Sequence, residues 1–366
     1  MSVVTLPVSI GEALDKLTIL EIKISKIADE RRTDVEKEYT LLFEQLGAYV
    51  NQFPYFYRLL REINTCLWDI QDEFHGKDIS PQRAAEIAKL ILEENDRRFR
   101  VKAKINTACS SSLREQKGYV KKRAFVYGHL GLGDMFWMNG AVRYLATAFD
   151  EVIVVCKERN LKNVALMYLD DPTIKLMSVK DDNDIYPFTE FRKQLEAQGM
   201  TVFCCGMHTH APRIYEFPLS FYDDFGLSRS IRQDYFHIPD FPETQSLYEA
   251  VTKISPTYVV IHQQSSTGSQ DLWTRATVRN PECPVLDVNV NHYPADHRWF
   301  AVAEAVVNQP VLFYKKLLEN AKEIYMIESS VYCLTSHLDL SKVEKKFAYR
   351  TCDASEKRIG VFETGV

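Results

Sequence analysis

Near residue 120 the spacing of apolar residues changes from a helical repeat to a strand repeat, and this change limits the fold more than any other feature. Before it, Ile10, Leu14, Leu17, Leu20, Ile24 and Ile27 recur at intervals of three and four. Ser9 precedes the run with Glu12 three residues later, the pattern of a capping box. The spacing predicts a second helix from Asp34 to Val50, ended by Phe53-Pro54. A third runs from Tyr55 to Phe74, with Leu59, Leu60, Ile63, Leu67 and Ile70 on one stripe. Ser80-Pro81 opens a fourth that reaches about Asn106, with proline at the favoured first helical position.

From Arg123 onward short apolar runs alternate with helical stretches. AFVYG (124–128), EVIVVC (151–156), IKLMSV (174–179) and TVFCCG (201–206) read as strands, with helices between them over about 135–149, 160–169 and 188–198. Such an order implies parallel strands joined by crossover helices. The polar, proline-containing HIPDFPETQ (237–245) reads as a boundary. A second series follows, with YVVIH (258–262), PVLDVNV (284–290), a helix near 298–308, EIYMIE (323–328) and KKFAYR (345–350). The fold class is therefore α/β, an N-terminal α-helical module over 1–120 followed by two Rossmann-like α/β lobes, 121–240 and 241–366. A length of 366 residues suits such a division, since domains usually run to about 100–200 residues. The aromatic patch Phe53-Pro54-Tyr55-Phe56-Tyr57 reads as core or inter-domain packing, or else as an interface. The module could dock a protein partner, self-associate or position a long acceptor.

Composition removes several classes of function. The formal charge of −5 supplies no whole-protein field for nucleic acid or an anionic membrane. No apolar run approaches the roughly 20 residues of a membrane helix, and MSVVTLPVSIGEALDKL lacks the basic-then-apolar order of a signal peptide. Eight cysteines, without CxxC spacing, suit free thiols in a reducing cytosol, so a cytoplasmic location is expected.

Three turns carry candidate chemistry. Gly128-His129-Leu130-Gly131-Leu132-Gly133-Asp134 joins a strand to a helix, where open α/β sheets bind ligands. Its order, GxxGxG, differs from the dinucleotide GxGxxG, which disfavours a nicotinamide cofactor. Gly131 and Gly133 would admit a ligand to the backbone, and Asp134 is either a general base or the helix N-cap. His262-Gln263-Gln264-Ser265-Ser266-Thr267-Gly268-Ser269 follows the first strand of the second series. Its hydroxyls and amides suit a diphosphate, with Arg275 nearby to add charge, or they form a solvated loop. Glu328-Ser329-Ser330 closes a strand and opens a helix, so its serines either cap that helix or bind phosphate.

Weaker candidates follow other strands. Asp182-Asn183-Asp184 imitates a metal-binding DxD but more often is a solvated loop. His208-Thr209-His210 could line an acceptor cleft; as a zinc site it lacks further ligands, and no metal is assigned. Neither GxSxG nor GxxxxGK[ST] occurs.

These residues carry two resemblances. VSIGEALDKLTILEIKISKI, LWDIQDE (67–73) and ENDRRFRVKAKIN (94–106) look like a helical family of unknown function over about 1–118, which implies no activity. GHLGLGDMFWMNGAVRYL (128–145), FYDDFGL (221–227), VVIHQQSS (259–266) and NAKEIYMIESSVYCLTSHLDL (320–340) resemble two-lobed glycosyltransferases of the GT-B type, distantly similar to heptosyltransferases. The resemblance implies transfer of a sugar from a nucleotide sugar to a glycan or glycoconjugate acceptor, as in polysaccharide biosynthesis, with inversion and without a metal or other cofactor. By it, Asp134 is the base, and Ser329 and Ser330 face the donor. From their places at strand ends, His129 and His208 stand in reserve as bases, Gly131, Gly133 and His210 belong to the acceptor side, and His262, Gln263, Ser265, Ser266, Arg275 and Glu328 are further donor-side candidates. Glu328 stands where similar chains have Asp. The competing reading is a non-catalytic nucleotide- or glycan-binding scaffold with a helical docking module.

Overall fold

The computed structural model describes residues 6–76, 79–180, 188–204, 217–266 and 268–349. Four helices come first: α1 (Ile10–Lys26), α2 (Arg31–Gln52), α3 (Pro54–Gly76) and α4 (Pro81–Ala108). The Ser9 hydroxyl caps α1 by accepting from the Glu12 amide at 3.3 Å. The Glu12 carboxylate pairs with Lys102 of α4. Ser80 caps α4 in the same manner, accepting from the Arg83 amide at 3.2 Å.

Leu14, Leu17, Phe56, Leu59, Leu60, Ile63, Val101 and Ile105 form the core of this module. Polar residues tie the same helices together. The Gly11 amide donates to Asn106 Oδ1 at 2.8 Å, and buried Asp15 accepts from Asn64 and pairs with Arg98. Gly11, Asp15, Arg98 and Asn106 belong to the stretches whose wording resembles the helical family. Here that wording specifies how α1 and α4 pack.

Four parallel strands follow: β1 (Arg123–Tyr127), β2 (Glu151–Lys157), β3 (Ile174–Val179) and β4 (Met200–Cys204), in the order β3-β2-β1-β4. The crossovers contain α5 (Leu132–Ala148), α6 (Leu161–Met167) and α7 (Phe188–Ala197). Then come α8 (Phe217–Asp224), α9 (Ile231–Asp234) and α10 (Pro242–Ile254). The stretch 237–245, expected to be a boundary, is packed: Ile238 and Phe241 are buried, and Pro242 starts α10. Proline is favoured in a first helical turn, so this proline-rich segment opens a helix.

The second sheet has the order β10-β9-β5-β8, again all parallel, from β5 (Val259–His262), β8 (Val285–Asp287), β9 (Glu323–Ile327) and β10 (Lys345–Tyr349). A short hairpin, β6 (Gln264–Ser265) and β7 (Gly268–Ser269), follows β5. Helices α11 (Trp273–Arg279), α12 (Phe300–Val306), α13 (Lys315–Glu319) and α14 (Ser330–Thr335) complete the described chain.

Alternation along the strands divides the second sheet into two faces. Val260, Ile324 and Met326 join an apolar core that continues into the first sheet. Val259, Ile261, Tyr325 and Ile327 face the other way, onto Leu272 and Ala276 beside and within α11.

The helical module packs onto the first sheet and its flanks. Lys104 pairs with Asp171, both only 1 % exposed, and Arg100 pairs with Asp150. Tyr55 stacks on His237 with centroids 4.1 Å apart, and Arg97 donates to the Tyr235 hydroxyl. Tyr55, Phe56 and Tyr57 are all buried, so the aromatic patch serves core and inter-element packing. Among the described residues no helix is long and apolar enough to cross a membrane.

Candidate functional site

In parallel sheets ligands bind beyond the carboxyl ends of the strands, at the point where the chain changes direction across the sheet. In the first sheet that point is between β1 and β4, since β2 and β3 lie on the other side of β1. The glycine turn 128–133 leaves β1 there. In the second sheet the point is between β5 and β9, where His262 pairs in register with Met326. His262 ends one strand, and Ser329 follows the other.

Helix α5 brings the two points together. A side chain at Gly133 would meet Cys333 Sγ at 2.9 Å and the Ser330 Cα at 3.8 Å. A Cβ at Gly133 would therefore require the Cys333 thiol to move, so the glycine gives α14 room against α5. The expected role of Gly133, admitting a ligand to the backbone, is thus filled by a helix contact.

Asp134 does not cap α5. Gly131 is the N-cap residue, and Asp134 lies in the first turn with its carboxylate folded back over Gly131, 2.7 Å from where a Cβ would stand. A carboxylate is favoured there by the amides and dipole of the helix start. Burial raises the Cys333 thiol pKa, and Asp134 and then Glu328 lie close enough to raise it further. Two acids from the two expected turns therefore converge on one place. His129 is half-buried and stacks on Phe221 of α8, with centroids 5.9 Å apart. His208, His210 and the DxD at 182–184 lie outside the described residues.

The serine turn is committed largely to structure. Ser329 Oγ accepts from the Tyr332 amide at 3.2 Å and lies 2.8 Å from His262 Nδ1. Burial pushes the His262 pKa down to about 4, so the ring is neutral near pH 7. Ser330 is the first residue of α14 and packs beside Gly133.

Gln263 is likewise used within the fold. Its side-chain oxygen accepts from the Leu272 and Trp273 amides, and its nitrogen donates to Asp287 at 2.8 Å. His292 also bonds Asp287 at 2.8 Å and stacks on Trp273, which fixes the turn after β8. Ser265 lies in the hairpin, and Ser266 is exposed in its turn. Arg275 is exposed on α11, its guanidinium over the Tyr349 ring. Helix α11 covers the face of the second sheet opposite α14, so Arg275 and Ser329 do not share a face.

Three residues beside this site carry no sequence signal. Trp137 lies one turn beyond Gly133, and His337, just after α14, meets it edge-on at 4.8 Å. Arg232 of α9 covers the same indole, its guanidinium carbon 4.9 Å from the ring centroid. Gly140 makes the third point of the stripe: a Cβ there would meet the Ile231 and Arg232 carbonyl oxygens at 2.5 and 2.8 Å. Residues 133, 137 and 140 follow the helical spacing, so α14 and α9 dock along one face of α5. Sequence reading takes Trp137 as part of an apolar helix and gives Arg232 and His337 no role. Their importance arises only when three separate helices meet.

Among the described residues no group of three or more His, Cys, Asp or Glu is placed to hold a metal ion.

Comparison with known proteins covers the two parts unequally. Residues 4–125 match the model of a family of unknown function, DUF6165. No curated protein matches the chain. Among solved structures it is similar to the glycosyl transferase family 9 protein from Veillonella parvula DSM 2008. That match has 10 % identity and a TM-score of 0.41, and covers 68 % of this chain and 95 % of that one. It is also similar to TibC, an iron-containing dodecameric glycosyltransferase from enterotoxigenic E. coli H10407, with 15 % identity and a TM-score of 0.37. The coverage is 64 % of this chain and 59 % of TibC. A structure of heptosyltransferase TibC in complex with ADP-D-β-D-heptose matches at 13 % identity and a TM-score of 0.36, over 64 % and 60 % of the two chains. At these TM-scores no residue of those proteins is carried over to this chain.

Proposed function

We propose that the chain is a glycosyltransferase that moves a sugar from a nucleotide-sugar donor to a hydroxyl of a glycan or glycoconjugate. The observation that most supports this reading is the α5–α14 contact at Gly133, which sets the switch points of two parallel sheets against each other. A bisubstrate transfer needs two binding edges facing one reaction space, and this arrangement supplies them. The motifs after β1 and β9, with their resemblance to two-lobed glycosyltransferases, point the same way.

In this reading Asp134 takes the proton from the acceptor hydroxyl as that oxygen attacks the sugar carbon. The sugar–phosphate bond breaks with its electron pair leaving on the nucleoside diphosphate, so direct displacement inverts the carbon. A guanidinium facing the diphosphate would meet the charge that develops on it.

The test is a screen of UDP-, GDP-, ADP-, CMP- and dTDP-sugars, followed by Asp134→Asn on whichever donor turns over. Loss of the base should lower kcat by about 10²–10⁴ with donor affinity retained. Unchanged turnover would remove Asp134 from the chemistry. A chain that neither binds nor turns over any of these donors sinks the transferase reading in favour of a binding scaffold. One observation already favours the scaffold: Gln263 and Ser329, both expected to face the donor, are hydrogen-bonded within the fold.

A further inference from the structure

Arg232 is half-buried on α9 against the Trp137 ring, and it makes no hydrogen bond or ion pair with the described residues. The polar groups that bear on it electrostatically are the tyrosines Tyr222 and Tyr332. A guanidinium carries five donors and is always charged. A half-buried guanidinium with no acceptor among the described residues leaves donors open to water or to an anion.

His337 supplies the complementary group against the same indole. Its Nδ1 lies 2.8 Å from the Cys333 carbonyl oxygen, which can only accept, so Nδ1 carries the proton. Burial pushes the ring pKa down to about 3, and the nearby Arg232 charge acts in the same direction. The neutral ring therefore presents a bare lone pair at Nε2. That atom is buried and has no hydrogen-bond partner among the described residues. One aromatic platform thus carries a cation without an acceptor and an acceptor without a donor. Gly140 secures the arrangement, because α9 can lie on α5 only where no side chain intervenes.

We propose that Arg232 and His337 form a subsite over Trp137 for a sugar phosphate, the guanidinium binding phosphate oxygen and His337 Nε2 accepting a ligand hydroxyl. The proposal places this subsite beside the transfer site and to that extent rests on the function proposed above. A sugar phosphate fits because it offers an anion and an O–H on neighbouring atoms. It could belong to the nucleotide sugar or to a phosphorylated acceptor.

Calorimetric titration of the full chain with inorganic pyrophosphate and with glucose 1-phosphate tests the subsite. Both probes should bind, and Arg232→Gln should weaken each at least tenfold, with Arg232→Lys in between. His337→Phe should weaken glucose 1-phosphate more than pyrophosphate, since the sugar brings hydroxyls beyond its phosphate. The Tm of Arg232→Gln should stay level or rise, because an unpaired charge leaves a partly dry site. A structural arginine would instead lower it. No binding of either probe by the unaltered chain, full binding by Arg232→Gln, or loss of binding together with a lower Tm would each overturn the proposal. With an active donor in hand, a raised KM for the nucleotide sugar in Arg232→Gln assigns the phosphate to the donor. A raised KM for the acceptor assigns it to the acceptor. If the probes bind through Arg232 but no nucleotide sugar is turned over, the subsite stands and the transferase reading falls.

Discussion

Lys104, fully buried, and Arg232, half-buried, are both cations at a junction of helices and sheet, and the chain treats them in opposite ways. Lys104 sits where the helical module meets the first sheet, paired with Asp171 and beside the Phe56 ring. Burial lowers its pKa, and the Asp171 carboxylate opposes that shift. Arg232 sits where α5, α9 and α14 meet and has no carboxylate partner among the described residues. The charges at the module's junction are paired with one another. The seam between the sheets holds a charge that no described residue neutralises. A buried ion is retained by its partner or by its task, and here the two cases separate along the chain.

Removing a partner on each side breaks or sharpens this contrast. Asp171→Ala leaves the Lys104 ammonium buried and alone, which should cost about 3–5 kcal/mol. Urea unfolding followed by circular dichroism should show the midpoint falling by the corresponding amount. The double change Lys104→Met with Asp171→Leu should recover most of it, because an apolar pair of similar volume removes both desolvation costs. Arg232→Gln should move the same midpoint by no more than about 0.5 kcal/mol, the low end for a cation–π contact such as the one it makes with Trp137. Equal losses at the two sites would end the comparison.

The next effect in size comes from the helix contact itself. Gly140→Ala gains about 1 kcal/mol from intrinsic helix preference. Its Cβ, however, would stand 2.5 Å from a backbone carbonyl oxygen that cannot swing aside. Overpacking of this kind costs about 1–3 kcal/mol. The net should be destabilising, and α9 should lift off α5. A Gly140→Ala chain as stable as the original would show that α9 is not seated there.

Much of this was legible in the sequence, and the part that was not has a physical cause. The four module helices, their Ser9 and Ser80 caps and the parallel strands all follow from local pattern, because periodicity and capping are local. Asp134 and the glycine turn could be placed at a strand end for the same reason. Helix α10 was hidden because a proline that begins a helix looks the same in sequence as one that ends a segment. Gly133 was noticed for the wrong reason, since a glycine admitting a ligand and one admitting a helix are identical in sequence. Arg232 and His337 were missed because no local rule marks them. Their meaning comes from Gly140 and Trp137, which the fold brings to them from a distant segment. Arg275 was included because it lies near the serine loop in sequence, but α11 carries it to the other face of the sheet.

Acid should discriminate between the two regions as well. The His262 and His337 pKa values in the folded chain are lowered to about 4 and about 3, against about 6.5 when unfolded. Below pH 6.5 the unfolded chain binds protons that the native chain refuses, so stability falls as pH drops from 6.5 toward 4. At pH 5 each histidine should cost up to about 2 kcal/mol relative to pH 7.5. His262→Gln should take roughly one proton out of the slope, about 1.4 kcal/mol per pH unit near pH 5. An unchanged slope would mean that His262 is not the neutral, buried group that the Ser329 contact implies.

The smallest effect decides what Ser329 is for. Its hydroxyl accepts from the Tyr332 amide and touches His262, so its place at the second switch point is held by structure. Ser329→Ala should cost about 1 kcal/mol, the usual loss for removing a cap. Ser330 is also at the start of α14 but does not cap it, so Ser330→Ala should leave stability within about 0.5 kcal/mol. Chemical denaturation of the two variants under one condition makes the comparison. If only Ser329→Ala is destabilised, the cap is the first role of Ser329, and a donor phosphate oxygen, which only accepts, can be met only by its O–H. If neither is destabilised, Ser329 is not held by the fold and is available to a ligand, as Arg232 is.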